Sequence, residues 1–364
     1  MSINDIIINM KNIFIAATRQ NDGKTVISIG LFLTLKKYVK KIGFIKPVGQ
    51  KYLDIDGKKV DKDAFLIKKI CKLEDNLEDM NPIAVEEGFT RNYLDNPNKE
   101  ALIEKIISSY NRISENKDIV LIEGTGHAGV GSIFDLNNAE VAKILNSPVI
   151  IISIGGIGKP ADEISLNLSL FKEKNVFVKG AIINKVQREK RDVLEKYLNK
   201  FFNKINIKLL GLIPYEEYLT KPNLLQICDA IEGKILIGWN KMREKIKNIV
   251  VGAMTPRHAL DYFKPDSLLI TPGDREDIIL AALTTTTQNL IKGIILTGGL
   301  YPHKTIMDLI KKYDFPTILA EDGTYEVASK INELVVKLTE NDIDKIEIAQ
   351  KLIEENVDIE EVLK

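Results

Sequence analysis

A Gly23-Lys24-Thr25 triplet between an apolar run and an amphipathic one constrains this chain more than any other feature. Asn12 to Ala17 reads as a buried strand and Val26 to Val39 as a helix, so the residues between them form a strand-to-helix turn. Such a turn holds phosphate. The backbone N–H groups of Gly23, Lys24, Thr25 and Val26 are placed to receive phosphate oxygens, Lys24 reaches the outer phosphates, and the Thr25 hydroxyl is suited to Mg²⁺. The spacing is unusual, because Thr18 stands where the first glycine of a P-loop falls and the nearest small residue is Ala17. A nucleoside triphosphate is the expected ligand.

Short β-branched runs alternate with amphipathic segments along the whole chain, which predicts an α/β fold with mostly parallel sheet covered by helices. Strands are expected at Asn12–Ala17, Lys41–Lys46, Ile119–Glu123, Val149–Ile154, Val176–Asn184 and Lys208–Ile213. A second series begins later, at Ile249–Met254, Ser267–Thr271, Gly293–Leu296 and Thr317–Ala320. With 364 residues, two domains are expected. The pattern loosens between them, and a boundary near Gly233 to Trp239 divides the chain into a P-loop domain at 10–235, a smaller α/β domain at 240–340, and a helical tail at 341–364. Ile343, Ile346, Ala349, Leu352 and Ile353 form one apolar stripe on that tail, expected to pack against the second domain.

Composition narrows the partners. Lys plus Arg (51) balances Asp plus Glu (51), so no overall field draws the chain to nucleic acid or to an anionic membrane. Cys71 and Cys228 lie far apart in apolar contexts and read as buried free thiols of a reducing compartment. The opening segment MSINDIIINM lacks the basic and apolar regions of a leader, and no apolar run is long enough to span a bilayer, so a soluble cytoplasmic protein is expected.

Mg²⁺ needs hard oxygen ligands besides Thr25. Ile119-Val120-Leu121-Ile122-Glu123-Gly124 has the form of a strand delivering a carboxylate to the edge of a parallel sheet. Val60-Asp61-Lys62-Asp63 offers acids at a helix start, where Asp63 is either a metal ligand or a cap.

Together, six motifs in this order over about two hundred residues resemble the dethiobiotin synthetase family and its relatives, including the ATP-dependent cobyrinate amide synthases. They are Ala17 followed after five residues by Gly23-Lys24-Thr25, then Lys46-Pro47-Val48, Asp63-Ala64, Glu123-Gly124, Ile183-Asn184-Lys185 and Gly211-Leu212-Ile213-Pro214. The resemblance implies ATP as ligand, Lys24 and Lys46 as catalytic cations at the γ-phosphate, and Thr25, Asp63 and Glu123 as Mg²⁺ ligands. It further implies that Asn184 reads adenine and that Pro214 lies beside the base.

Around the acceptor, Gly49-Gln50-Lys51 and Thr125-Gly126-His127-Ala128-Gly129-Val130-Gly131-Ser132 replace that family's small residues, which points away from dethiobiotin synthesis. The second loop resembles instead the ATPase-like N-terminal region of long phosphate acetyltransferases, and Val250 to Met254, Pro272 to Arg275 and Leu296 to Gly299 resemble the DRTGG domain that follows it there. That resemblance implies a chain lacking the transacetylase domain. In the second domain, loops after the strands could hold a small anion with Arg275, unless their glycines serve only tight turns and Asp274 only caps a helix. The expected function is a Mg-ATP-binding regulatory or adaptor module, a homodimer whose partner is a phosphate acetyltransferase or another metabolic enzyme. The alternative is an ATP-dependent carbon–nitrogen ligase; an inert scaffold is disfavoured by the intact Lys24, Thr25, Asp63 and Glu123.

Overall fold

A computed structural model describes residues 11–285 and 288–364; the opening segment read above for leader features lies outside the described residues, as do positions 286–287, within a stretch, 275–289, whose sequence pattern predicts a helix. The chain is α/β and divides into two compact units, one formed by residues up to Glu216 together with Leu338–Lys364, the other by Glu217–Lys337.

The first unit is built on strands β1 (Asn12–Ala17), β2 (Ile42–Ile45), β3 (Ile119–Glu123), β4 (Val149–Ile154), β5 (Val178–Val186) and β6 (Lys208–Pro214). They form one sheet in the order β6-β5-β4-β1-β3-β2, with every neighbouring pair parallel. All residues of β1 and β3 are buried, as a parallel sheet covered on both faces requires. The chain leaves β1 in one direction to β2 and β3 and later crosses to β4 on the other side. The strand order therefore reverses at β1, and the crevice at its carboxyl end is the ligand edge of such a sheet.

Helix α1 (Lys24–Leu35) follows β1 and buries residues on nearly every side, from Ile27 through Phe32 and again at Thr34 and Leu35. A surface helix would leave one face polar. The second cover is the tail: helix α2 (Ile343–Asn356) lies on α1 so closely that a Cβ at Gly30 would stand 2.6 Å from the Ala349 carbonyl oxygen and 2.6 Å from Ile353 Cγ1. Beyond α2, the Asp358 N–H donates to the Leu210 carbonyl (2.9 Å), and Val357 bridges Gly211 on the edge strand β6. The tail thus corrects the expectation that its stripe packs on the second domain. Its apolar stripe meets α1 because Gly30 leaves room for backbone contact there.

Between β2 and β3 a hairpin, Tyr52–Ile55 with Lys58–Asp61, turns through Asp56 and Gly57, whose φ values of 53° and 77° are those of a two-residue hairpin turn.

In the second unit, strands β7 (Lys234–Ile237), β8 (Asn248–Val251), β9 (Ser267–Pro272), β10 (Ile291–Thr297) and β11 (Thr317–Leu319) form a sheet ordered β7-β11-β10-β9-β8, parallel except for β7. The expected boundary near Gly233 to Trp239 falls inside this unit. Leu224, Ile227 and Cys228 share a core with Leu268, Ile270 and Ile318, so the segment before β7 is held by the second sheet.

Candidate nucleotide site

The loop after β1 is tied down by its own polar groups. Thr18 Oγ1 donates to Asp22 Oδ2 (2.8 Å), which also accepts the Arg19 N–H (2.9 Å). Burial pushes the Asp22 carboxyl above its usual range, against the pull of the Thr18 bond. Gly23 then takes φ 97°, a left-handed conformation, and a Cβ there would lie 2.3 Å from Asn184 Nδ2, so glycine is required on both counts. Asn184 and Lys185, at the end of β5, clamp the loop from the side. Asn184 Nδ2 donates to the Asp22 carbonyl (2.8 Å) and Lys185 Nζ to that of Asn21 (2.8 Å).

The ladder of α1 starts where the Ile27 N–H donates to the Gly23 carbonyl (3.0 Å), leaving the N–H groups of Lys24, Thr25 and Val26 outside it at the positive end of the helix. This is an anion cup. Lys24 is half-buried beside it with Nζ donating to the Gly126 carbonyl (2.9 Å); burial lowers its ammonium to about 8, with Glu123 opposing.

Parallel register builds the rest. Ile15 pairs with Glu123 and Ile45 with Ile122, so Glu123 arrives beside the end of β1 and Lys46 extends from β2 at the same level. Thr25 Oγ1 donates to Glu123 Oε1 at 3.3 Å. The Lys46 ammonium stands among three carboxylates, 2.9 Å from Asp61 Oδ1, 3.4 Å from Glu123 Oε1, and hydrogen-bonded to Asp63 Oδ2. Burial works against the charge on Lys46, but Glu123, Asp63 and Asp61 prevail and hold it well above the usual lysine value. Burial also raises the Glu123 carboxyl, with Lys46 opposing.

Of the two readings of Asp63, the structure removes the cap. Asp61 is the helix cap, its Oδ1 accepting the Asp63 N–H (2.8 Å), while Asp63 turns to Lys46. Asp61 is also the charge partner that sequence reasoning missed. It is fixed by Asn81, whose Oδ1 accepts the Asp61 N–H (2.9 Å) and whose Nδ2 donates to the Lys46 carbonyl (2.8 Å).

Whether these residues fit Mg²⁺ is decided by Glu123. Its Oε2 is buried and lies outside hydrogen-bond geometry to any partner, with the Ser28 hydroxyl close enough to favour the charged carboxylate but not bonded to it, a costly arrangement that a cation would complete. With the Thr25 hydroxyl beside it, the donor set is the hard oxygen set that Mg²⁺ takes alongside phosphate. Asp63 is drawn into the same cluster through Lys46. Among the described residues, no group of three His, Cys, Asp and Glu is arranged to hold a metal ion unaided, so the ligand shell would have to be shared with the nucleotide.

The loop 125–132 is stitched down by Asn138, which accepts the Thr125 N–H (3.0 Å) and donates to the carbonyls of Thr125 (2.8 Å) and His127 (2.7 Å). The His127 ring stays exposed and accepts the Gly129 N–H (3.2 Å). Pro214 ends β6 opposite Val186, beside the clamp formed by β5.

Residues 11–223 match the AAA domain family, over more than half of the chain. The chain belongs to that family. Residues 226–334 of this AAA-family chain match the DRTGG domain. A phosphate acetyltransferase of Nitratidesulfovibrio vulgaris is 30% identical over 96% of this chain and 51% of its own length. One from Synechocystis is 25% identical over 97% of this chain and 51% of its own. The AAA-family chain therefore spans about half the length of these relatives. MinD, a cell division protein of Aquifex aeolicus, aligns at TM-score 0.36 and 17% identity, covering 57% of this chain and 84% of that one.

In the DRTGG unit, the arginine expected to hold an anion is spent within the chain. Arg275 Nη2 donates to the Met254 carbonyl (2.9 Å) and Nε to Asp277 Oδ1 (2.9 Å). Nor does Asp274 cap the following helix, Glu276–Thr284, whose N-cap position is Arg275. Both cysteines are free and buried, and burial pushes their thiols up to about 12 at Cys71 and about 11 at Cys228. No described helix is long and apolar enough to cross a membrane.

Proposed function

We propose that this AAA-family chain binds Mg-ATP in its first unit and acts as a nucleotide-responsive regulatory or adaptor module for a metabolic enzyme of the phosphate acetyltransferase type. The observation that carries this reading is the meeting of the α1 amide cup with the orphaned Oε2 of Glu123, one made for anionic oxygen and the other for a cation. Thr25 and Glu123 would hold the ion, with Asp63 at its margin. Bound Mg²⁺ would neutralise charge on the β- and γ-phosphates.

The chain's own residues then divide the remaining work. Lys24, on the first turn of α1, would exchange its Gly126 carbonyl for a phosphate oxygen and regain a full positive charge. Lys46 balances the carboxylates of Asp61, Asp63 and Glu123 until the ion shares them. Its charge then becomes available to the γ-phosphate. Asn138 ties the loop facing the cup to itself, which favours a held nucleotide with slow turnover over rapid transfer to an acceptor.

Calorimetric titration with ATP, with Mg²⁺ and with EDTA, tests the reading. Lys24→Ala should weaken ATP binding at least tenfold, and Glu123→Gln should abolish the Mg²⁺ dependence; unchanged behaviour in both variants overturns the assignment. The regulatory role is tested by coprecipitation of a phosphate acetyltransferase from the native cell, with and without ATP.

A further inference from the structure

The two large sheets have four edge strands, and three of them are closed to further pairing. In the first unit, β2 is buried at every residue, and β6 is covered by the tail, where the Asp358 N–H donates to the Leu210 carbonyl (2.9 Å). In the DRTGG unit, β7 carries the exposed Lys234 and a register shift between Ile235 and Ile237, and both discourage a further strand. The fourth edge, β8, is open. It reads Asn248-Ile249-Val250-Val251, with no proline and with an unbroken register to β9. Lys247, just ahead of it, is turned to Asp266 at 2.6 Å and does not guard the edge.

The open side of β8 has a defined pattern. The Gly252 N–H donates to the Ile270 carbonyl (2.8 Å), so strand alternation turns the main-chain groups of Val250 towards β9 and those of Ile249 and Val251 outwards. No strand meets them among the described residues. The side chains divide in the same way. Val250 is buried with Ala259 and Phe263, whereas Ile249 and Val251, on the opposite face, are exposed at 43% and 37%. Two β-branched side chains in water beside outward main-chain groups have the form of a strand that takes another.

We propose that β8 is where two copies of this chain associate, the two edges pairing antiparallel about a two-fold axis at Val250. A second copy fits because this edge is complementary to itself. With the two Val250 residues facing each other on the axis, Ile249 of each copy lies opposite Val251 of the other. Both are hydrogen-bonded pairs, so four main-chain bonds form and every outward N–H of Ile249 and Val251 finds a carbonyl. The same register sets isoleucine against valine twice on the exposed face. Joining the edges uses both of them up, so assembly stops at two. The formal net charge of zero leaves no overall repulsion between copies. Leu260 and Tyr262, exposed on the connection whose Ala259 and Phe263 pack beside Val250, would add apolar surface near the axis. The contact draws on DRTGG residues alone, so it goes beyond the Mg-ATP reading and needs no nucleotide.

The test is sedimentation equilibrium of the full chain from about 1 to 100 µM, with and without Mg-ATP. The intact chain should form a dimer within that range in both conditions. Ile249→Lys and, separately, Val251→Glu should each weaken dimerisation at least tenfold. Mixing these two variants should restore a dimer, because the register then sets the introduced lysine opposite the introduced glutamate and leaves Ile249 opposite Val251 in the other pair. Ile249→Pro should weaken dimerisation as well, since it removes an outward N–H that the chain's own sheet does not use. Urea midpoints equal to that of the intact chain show that the fold is kept at these exposed positions. A monomer at every concentration, a dimer indifferent to the three substitutions, no recovery in the mixture, or association only with Mg-ATP overturns the proposal. The last of these leaves the Mg-ATP reading standing, whereas a dimer that binds no ATP removes that reading alone.

Discussion

Asn184 hydrogen-bonds the Asp22 carbonyl across 2.8 Å, joining the end of β5 to the phosphate loop. Removing that bond should loosen the loop before it alters any contact to a base. Asn184→Ala is expected to weaken ATP and tripolyphosphate together by about fivefold, the worth of one net hydrogen bond. Competition binding checks this; a change confined to the ATP-to-GTP ratio would assign Asn184 to the base instead.

ATP binding should take up a proton near pH 8. Burial holds the Lys24 ammonium at about 8, against 10.5 for an ordinary lysine, and a triphosphate beside it restores the charged form. Affinity should therefore fall as pH rises from 8 towards 9. For the unliganded chain the sign is opposite. Between pH 8 and 10.5 the unfolded state binds more protons at this residue, so Lys24 contributes rising stability across that window. Titrations at pH 8 in buffers of different ionisation enthalpy read the uptake directly, and Lys24→Ala should remove it.

Lys46→Ala should destabilise the first unit by about 3 kcal/mol, since it strands three carboxylates around a buried position. Adding Glu123→Gln to that variant should recover part of the loss by removing one unpaired charge. Urea unfolding of the single and double variants measures both effects. Additive losses would mean that the cluster does not act as one electrostatic unit.

Gly30→Ala should undock the tail. Alanine in a helix interior gains up to about 1 kcal/mol over glycine, but its Cβ would stand 2.6 Å from the Ala349 carbonyl oxygen, a backbone atom that cannot rotate away. Overpacking of about 1–3 kcal/mol wins. Faster amide exchange across residues 343–358, with the β1 to β5 core unchanged, is the expected signature.

Much of the first unit was legible because its strands are continuous apolar runs, and β1, β3 and β4 fall where the sequence places them. The positions of Lys46, Glu123 and Asn184 were legible for a related reason, since parallel strands deliver their terminal residues to one edge, and Lys24 and Thr25 open the helix that follows β1. Asp61 was hidden by its neighbour Asp63, as two acids at a helix start look alike until one of them caps it. The hairpin 52–61 carried a signal in Asp56-Gly57 that outweighs its weak strand pattern. The tail was misplaced because an apolar stripe says that a helix packs, not on what. Gly30, in the middle of an otherwise bulky helix, marked the surface waiting for it.

The return of residues 338–364 to the first unit reverses the usual order of folding during synthesis. When the ribosome has made β6, the outer face of α1 and the free edge of β6 still lack their cover. The cover arrives only after about 120 further residues, a delay on the order of ten seconds at ordinary rates of synthesis. The DRTGG unit, contiguous in the chain, can close first, and of the two units the first is completed later.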